Sequence, residues 1–255
     1  MKKTLLGVRN VAISFAALIL VWQLVFIVGD FNEALFPAPA TAFKALVETI
    51  RDGSLLENIA ASLKRFAIGY ASAVVVAVAL GLVLGVLPRV FQFVNPIVQL
   101  LRPISPMAWA PFIVLWVGIG DAPATIVVFI AAFFPVLLST VSAVANIDPI
   151  YFKVARNFGV SQPYALWKII FPAAFPQIAN GIHLALGTAW VFLAAGEMNG
   201  VQSGLGYMVV DARNNLRTDV LLAAILTIGA IGLALDAAIK FVDRQIVKAW
   251  GGDEQ

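Results

Sequence analysis

Three side chains recur at intervals of seven along one apolar stretch: His183, Trp190 and Glu197. Histidine and glutamate can each carry a proton, and an indole offers one N–H donor. Asn180, Gly187 and Ala194 fill the intervening i+3 and i+4 positions, so all six share one stripe of a helix. Lipid does not tolerate Asn, His and Glu on an exposed face, so the stripe is expected to point inward. Two readings stay open for it: interhelical packing through hydrogen bonds and small residues, and the lining of a solute route. A second set stands at Arg102-Pro-Ile-Ser105-Pro, with a further proline at 111. Proline removes helix hydrogen bonds, and unwound backbone at membrane depth survives only inside protein or beside water. This span is either kinked for packing or broken beside a path, where Arg102 and Ser105 can meet an oxyanion. Pairing of Arg102 with Glu197 is a further option.

Catalysis finds no support. The single histidine has no serine or carboxylate at triad-like local spacing, and neither His-Glu-x-x-His nor a Walker G-x4-G-K-[ST] occurs. No cysteine is present, so there is no disulfide framework or thiolate metal site.

The elements that must hold these residues are membrane helices. Of 255 residues, 61% are hydrophobic and only 12% charged, with a mean hydropathy of +0.94. A soluble domain carries about 25% charged residues. The net charge of +3 comes without a basic cluster interleaved with aromatics, which argues against nucleic acid. Six apolar stretches are long enough to span: 11–28, 68–87, 90–118, 124–145, 178–196 and 220–239. The first is too long for the apolar core of a signal peptide and no cleavage site follows closely, so it is expected to be retained. With the N-terminus inside, ten Lys and Arg fall on the cytoplasmic side and six outside, with Arg102 in a span. That balance favours both termini in the cytoplasm.

Smaller signals complete the pass. Thr41 can cap a short helix that stops at Gly53, with Phe43, Leu46, Val47 and Ile50 as its apolar face. Gly81 and Gly85 make a small-xxx-small pair for close helix packing. Asp236 is expected near the cytoplasmic edge of the last span, and Gly204-Leu-Gly206 as a turn or gate element outside.

Residues 146–176 form a polar interlude between apolar runs. Asp148 before Pro149 reads as a helix start, and Gly159 as the left-handed turn that ends it. Ser161 can cap a second short helix that Pro172 stops, with Pro176 opening the fifth span. The aromatic groups Tyr151, Phe152, Phe158 and Trp167 either fold back onto the bundle or fill a socket on a partner, with Ala155 and Gly159 small enough for close approach.

This stretch resembles the cytoplasmic signature of ABC-importer permease subunits, roughly E-A-A-x3-G with L-P about a dozen residues on. Here it reads Lys153-Val154-Ala155, three residues, Gly159, then Phe171-Pro172. The runs beginning at Arg102, Gly181, Ala194 and Gly204 look like the nitrate/sulfonate/taurine/bicarbonate branch. The likeness covers about residues 35–245. It implies an all-α, polytopic, six-span fold of the type I importer kind, like the methionine-importer permease, as one transmembrane domain over 1–255. Its signature core would be about 60–245 and its coupling helices 148–171. It implies ATPase docking through Lys153, Ala155, Arg156, Phe158 and Gly159; the polar stripe and the broken span themselves offer a substrate path near Arg102, Ser105, His183, Trp190 and Glu197. The implied partners are a second copy of the chain, two cytoplasmic ABC ATPase subunits, an extracytoplasmic solute-binding protein and inner-membrane lipid. ATP and Mg would sit on the ATPases, leaving this chain without a cofactor. The signature's glutamate is Lys153 here, and the family commonly has arginine where His183 stands. A small oxyanion is the expected cargo, with a thiamine-precursor-like heterocycle as runner-up. Competing classes are an ion-coupled transporter using Arg102, His183 and Glu197 as a relay, and a non-transporting membrane scaffold.

Overall fold

In the computed structural model, residues 2–29, 32, 33, 35–148, 150, 151, 153 and 157–249 are described. Among them there is helix and no strand. In chain order the helices of eight residues or more are α1 (Lys2–Val28), α2 (Pro39–Arg51), α3 (Ser54–Val86), α4 (Pro88–Leu101), α5 (Ala110–Val117), α6 (Asp121–Ala145), α7 (Phe171–Glu197), α8 (Leu205–Asn214) and α9 (Thr218–Ala249), with a short one at Gln162–Ala165. Four stretches are long and apolar enough to cross a membrane: α3, α6, Leu166–Glu197 and Thr218–Asp243. A fifth is bent by 82° between Pro88–Leu101 and Pro106–Val117, and α1 contributes a shorter apolar stretch, Ile13–Val28. The six stretches of sequence thus become four helices long enough to cross, one bent pair and one shorter apolar stretch.

Three boundaries differ from those read in the sequence, each for a local reason. The short helix begins at Pro39 rather than after Thr41, because a proline in the first turn forfeits no helical bond. It buries Ala42, Ala45 and Thr49, while Phe43, Val47 and Ile50 stay exposed. The second span begins at Ser54, well before residue 68. Gly53 makes the left-handed link at φ 83°, and the Asp52 carboxylate accepts from the Ser54 hydroxyl (2.7 Å) and N–H (2.9 Å). Those bonds hold the Asp52 carboxyl below the usual carboxylate range.

The third difference is at Pro172, which does not stop a helix. Leu166–Ile170 widens into a π-turn in which the Phe171 N–H donates to the Leu166 carbonyl. The wide turn takes the preceding carbonyls out of the i−4 register, where a proline ring would clash. The helix therefore runs on through Pro172 and Pro176 to Glu197.

Helix association in lipid relies on close packing and interhelical hydrogen bonds. A β-carbon on Gly81 would sit 2.6 Å from Thr140 Cβ, and one on Gly85 equally close to Val144 Cβ, so the small pair lets α3 lie tight on α6. Gly181 does the same for α7 against Ser139. Between α3 and α7 the aromatics use both body and tip. Phe66 stacks on Tyr70 (5.1 Å) and meets Trp190 edge-on (5.3 Å). The Tyr70 hydroxyl donates to Ile182 O at 2.6 Å, and Trp190 Nε1–H to Ile228 O at 3.0 Å.

Candidate functional site

The heptad stripe of α7 does not stay on one environment. A straight helix drifts about 20° per heptad against a seven-residue repeat. Accordingly His183 is half-buried, while Trp190 and Glu197 are buried; Asn180 and Gly187, on the flank of the stripe, are exposed. His183 Nε2 lies 2.7 Å from Asp236 Oδ1 and its Nδ1 lies 3.8 Å from Asp243 Oδ2, both on α9. Lys240 caps the other oxygen of Asp236 at 2.7 Å. Asp236 is therefore a partnered group and not merely a solvated one, and His183 faces acids.

Glu197 ends in a network that the sequence did not reveal. Its carboxylate accepts from Arg65 Nη1 (2.7 Å), the Ser62 hydroxyl (2.8 Å) and the Gly206 N–H (3.0 Å). It does not pair with Arg102. Arg65, counted in the sequence as a loop cation, is a buried hub. Its Nε and Nη2 donate to Asp121 Oδ1 (2.8 and 2.6 Å), Nη1 also to Ser203 O (2.7 Å), and Nη2 also to Ser203 Oγ (2.6 Å). Every N–H of the guanidinium thereby has an acceptor. The first backbone N–H groups of α8 are spoken for in the same place: Gly204 N by Asn58 Oδ1 (2.6 Å) and Leu205 N by Ser62 Oγ (2.8 Å). Side chains at Gly204 and Gly206 would run into Glu197 and Ala194, which explains the glycines of Gly204-Leu-Gly206. The available signal was Asn58, Ser62 and Arg65 at i, i+4 and i+7, one polar face continuing into Gly69 and Ala73.

The broken span makes a different kind of place. Leu101 ends α4, residues 102–105 are unwound, and Pro106–Trp109 form a tight turn into α5. The unwound stretch faces the middle of α6 and α7 across a cavity of about 360 Å³. Arg102, Ser105 and Thr188 supply its polar groups, and Ile130, Phe134 and Phe192 its apolar wall. Among the described residues, no carboxylate or carbonyl holds the Arg102 guanidinium. The structure brings Arg102 and Ser105 together here, while His183, Trp190 and Glu197 lie elsewhere. Thr188 and Phe192 complete the lining and were not singled out by the sequence.

At the opposite end of the bundle from the Arg65 network lies the polar interlude. The Asp148 carboxylate accepts the Ile150 N–H at 2.8 Å, as a helix start requires. Lys153 is exposed, Phe158 is 82% exposed, and Gly159 turns at φ 65°. Ala155 and Arg156, with Phe152 and Val154, fall outside the described residues. Tyr151 and Trp167 are about half exposed, so the aromatics present themselves outward instead of folding onto the core.

A polytopic α-helical bundle with one broken span and an exposed aromatic knob at one end is the architecture of a membrane permease. The chain belongs to the family of binding-protein-dependent transport system inner membrane components, whose family model matches residues 73–248. It is 31% identical to the taurine transport system permease protein of Escherichia coli K12, over 97% of this chain and 92% of that one. It is 33% identical to a nitrate import permease protein of Leptolyngbya laminosa, over 92% of this chain and 86% of that one. Its fold is similar to a chain of the inward-facing methionine ABC transporter MetNI, with a TM-score of 0.58 and 19% identity over 77% of this chain and 94% of that one. The chain is thus a multi-pass inner-membrane permease subunit of the ABC-importer type.

Proposed function

We propose that this permease carries a small oxyanion, and that the solute meets Arg102 and Ser105 in the cavity at the broken span. The observation that carries this reading is the unpaired Arg102 guanidinium at mid-bundle depth, beside a cavity of about 360 Å³. An ionised group there is expensive unless it has a counter-charge, and a passing anion supplies one. Permease relatives named for taurine and nitrate agree with that chemistry.

Energy enters from outside the chain. Two ATPase subunits, holding ATP and Mg, dock on the 148–171 segment, with Lys153, Phe158 and Gly159 at the contact and Ala155 and Arg156 beside them. This places that segment and both termini in the cytoplasm, in keeping with the balance of Lys and Arg. The Arg65 network and α8 then face outward, towards a soluble binding protein that delivers the solute. Two copies of the chain pair about a two-fold axis with the path between them. The exposed face of α7 carries Asn180, the bare backbone of Gly187 and Thr188, small and polar groups that suit a close helix interface.

Uptake by the complete importer in proteoliposomes tests the cavity. Arg102→Ala should lower nitrate or taurine uptake at least about tenfold with assembly intact, and Arg102→Lys should restore part of it. Uptake at the unaltered rate in Arg102→Ala would overturn the reading.

A further inference from the structure

A second cavity, of about 330 Å³, lies further along α6 from the first, between the end of α3, α4 and α6. It is close in size to the Arg102 cavity. On α6 the two cavities are lined by residues 130–135 and 138–145 respectively. On α4 the second is lined by Asn95 and Gln99, and on α6 by Ser142. Asn95 and Gln99 stand at i and i+4 on one face of α4, and Arg102 follows three residues on at the end of the helix, its N–H donating to Val98 O at 2.9 Å. Resting on the reading of the Arg102 cavity as the solute's place, we infer that Asn95, Gln99 and Ser142 form a second, uncharged oxyanion site that receives the solute from Arg102.

The hydrogen-bond pattern fits a receiving site. Gln99 Nε2 donates to Asn95 Oδ1 at 3.2 Å, which turns the Asn95 amide N–H₂ away from its neighbour. Ser142 Oγ accepts from Asn146 Nδ2 at 3.4 Å, leaving its O–H to donate. Amide and hydroxyl donors can hold an oxyanion, yet among the described residues no Lys, Arg, Asp or Glu lines the cavity. The hold is therefore weaker than that of a guanidinium. Conduction requires such a gradient: binding firm enough to enter and weak enough to leave. Phe93, on the opposite face of α4, is 82% exposed and takes no part.

The test uses the complete importer, with its ATPase and binding protein, in proteoliposomes supplied with labelled nitrate and labelled taurine. Uptake is normalised to assembled transporter. Asn95→Leu/Gln99→Leu should lower uptake about tenfold, the loss of one hydrogen bond to a charged group. Asn95→Asp keeps the shape and adds a negative charge, so it should lower uptake further; Phe93→Leu should leave it unchanged. If Arg102→Ala lowers uptake but the double variant and Asn95→Asp do not, the second site is overturned and the first cavity stands. If Arg102→Ala has no effect, or the unaltered assembly takes up neither anion, the oxyanion reading falls and this site with it.

Discussion

Arg65 Nη1 donates to Glu197 Oε1 at 2.7 Å, and the two side chains are 2% and 0% exposed. The pair joins α3 to the end of α7 across 132 positions of sequence. Asp121 at the start of α6 and the Ser203 turn before α8 close on the same guanidinium. One cation thereby fixes four segments at one end of the bundle. Glu197 acts here as a brace.

A brace of this kind is tested by breaking one side of it. Glu197→Leu leaves a buried guanidinium without its inner carboxylate, and loss of one partner of a buried pair costs about 3–5 kcal/mol. The variant should unfold at a clearly lower temperature in detergent, measured by thermal denaturation followed by size-exclusion chromatography. Arg65→Met/Glu197→Leu removes both charges and should recover part of the loss. A double variant no more stable than the single one would mean that the charges act separately.

Much of the architecture was legible in the sequence, and the exceptions have a common cause. Apolar runs of about 20 residues, the Gly81/Gly85 pair, the left-handed Gly159 and the proline-rich break at 102–106 are local signals, and each appears in the structure as a local feature. The partners of Asp236 and the burial of Arg65 were not legible, because burial and pairing depend on residues far away in sequence. The α7 stripe misled for a geometric reason: a spacing of seven looks constant on paper, yet it rotates from His183 to Glu197. Pro172 misled because a π-turn four residues earlier absorbs it. Lys153, Phe158 and Gly159 could be picked from the signature, but the signature alone gave no exposure for them.

The crossing of α3 on α6 depends on Gly81, whose absent side chain leaves room for Thr140. Gly81→Leu would place Cβ 2.6 Å from Thr140 Cβ, so the helices must part. Parting them opens a void along a contact that lipid does not drive together. The variant should insert but give a low yield of monodisperse protein, with a cost of about 1–3 kcal/mol from overpacking. Thr140→Gly in the same chain removes the clashing Cβ and should return part of the yield, measured by fluorescence-detected chromatography.

The proposed docking of the ATPase can be tested apart from folding at Phe158. Its ring is 82% exposed, so Phe158→Ala removes little from the permease itself. In an interface, truncation of a buried aromatic anchor costs about 2 kcal/mol or more. Phe158→Ala should therefore reduce co-purification of the ATPase by roughly 30-fold in apparent affinity, with insertion unchanged. Gly159→Arg adds both bulk and backbone strain at φ 65° and should abolish it. Full co-purification in both variants would take the contact away from this turn.

The proposed pairing of two copies can be tested with single cysteines, because the chain has none of its own. About a two-fold axis, a residue near the axis meets its own counterpart. Gly187 on α7 is exposed, and a β-carbon there would touch nothing within 4 Å. Leu184 and Val191, on the same face, are each 66% exposed. Gly187→Cys or Leu184→Cys should form an inter-chain disulfide under mild oxidation, within the Cα–Cα reach of about 7 Å that such a bond allows. Val47→Cys, exposed on α2, serves as the distant control. A cross-link at position 47 without one along 184–191 would turn the α7 face to lipid and place the two-fold axis elsewhere.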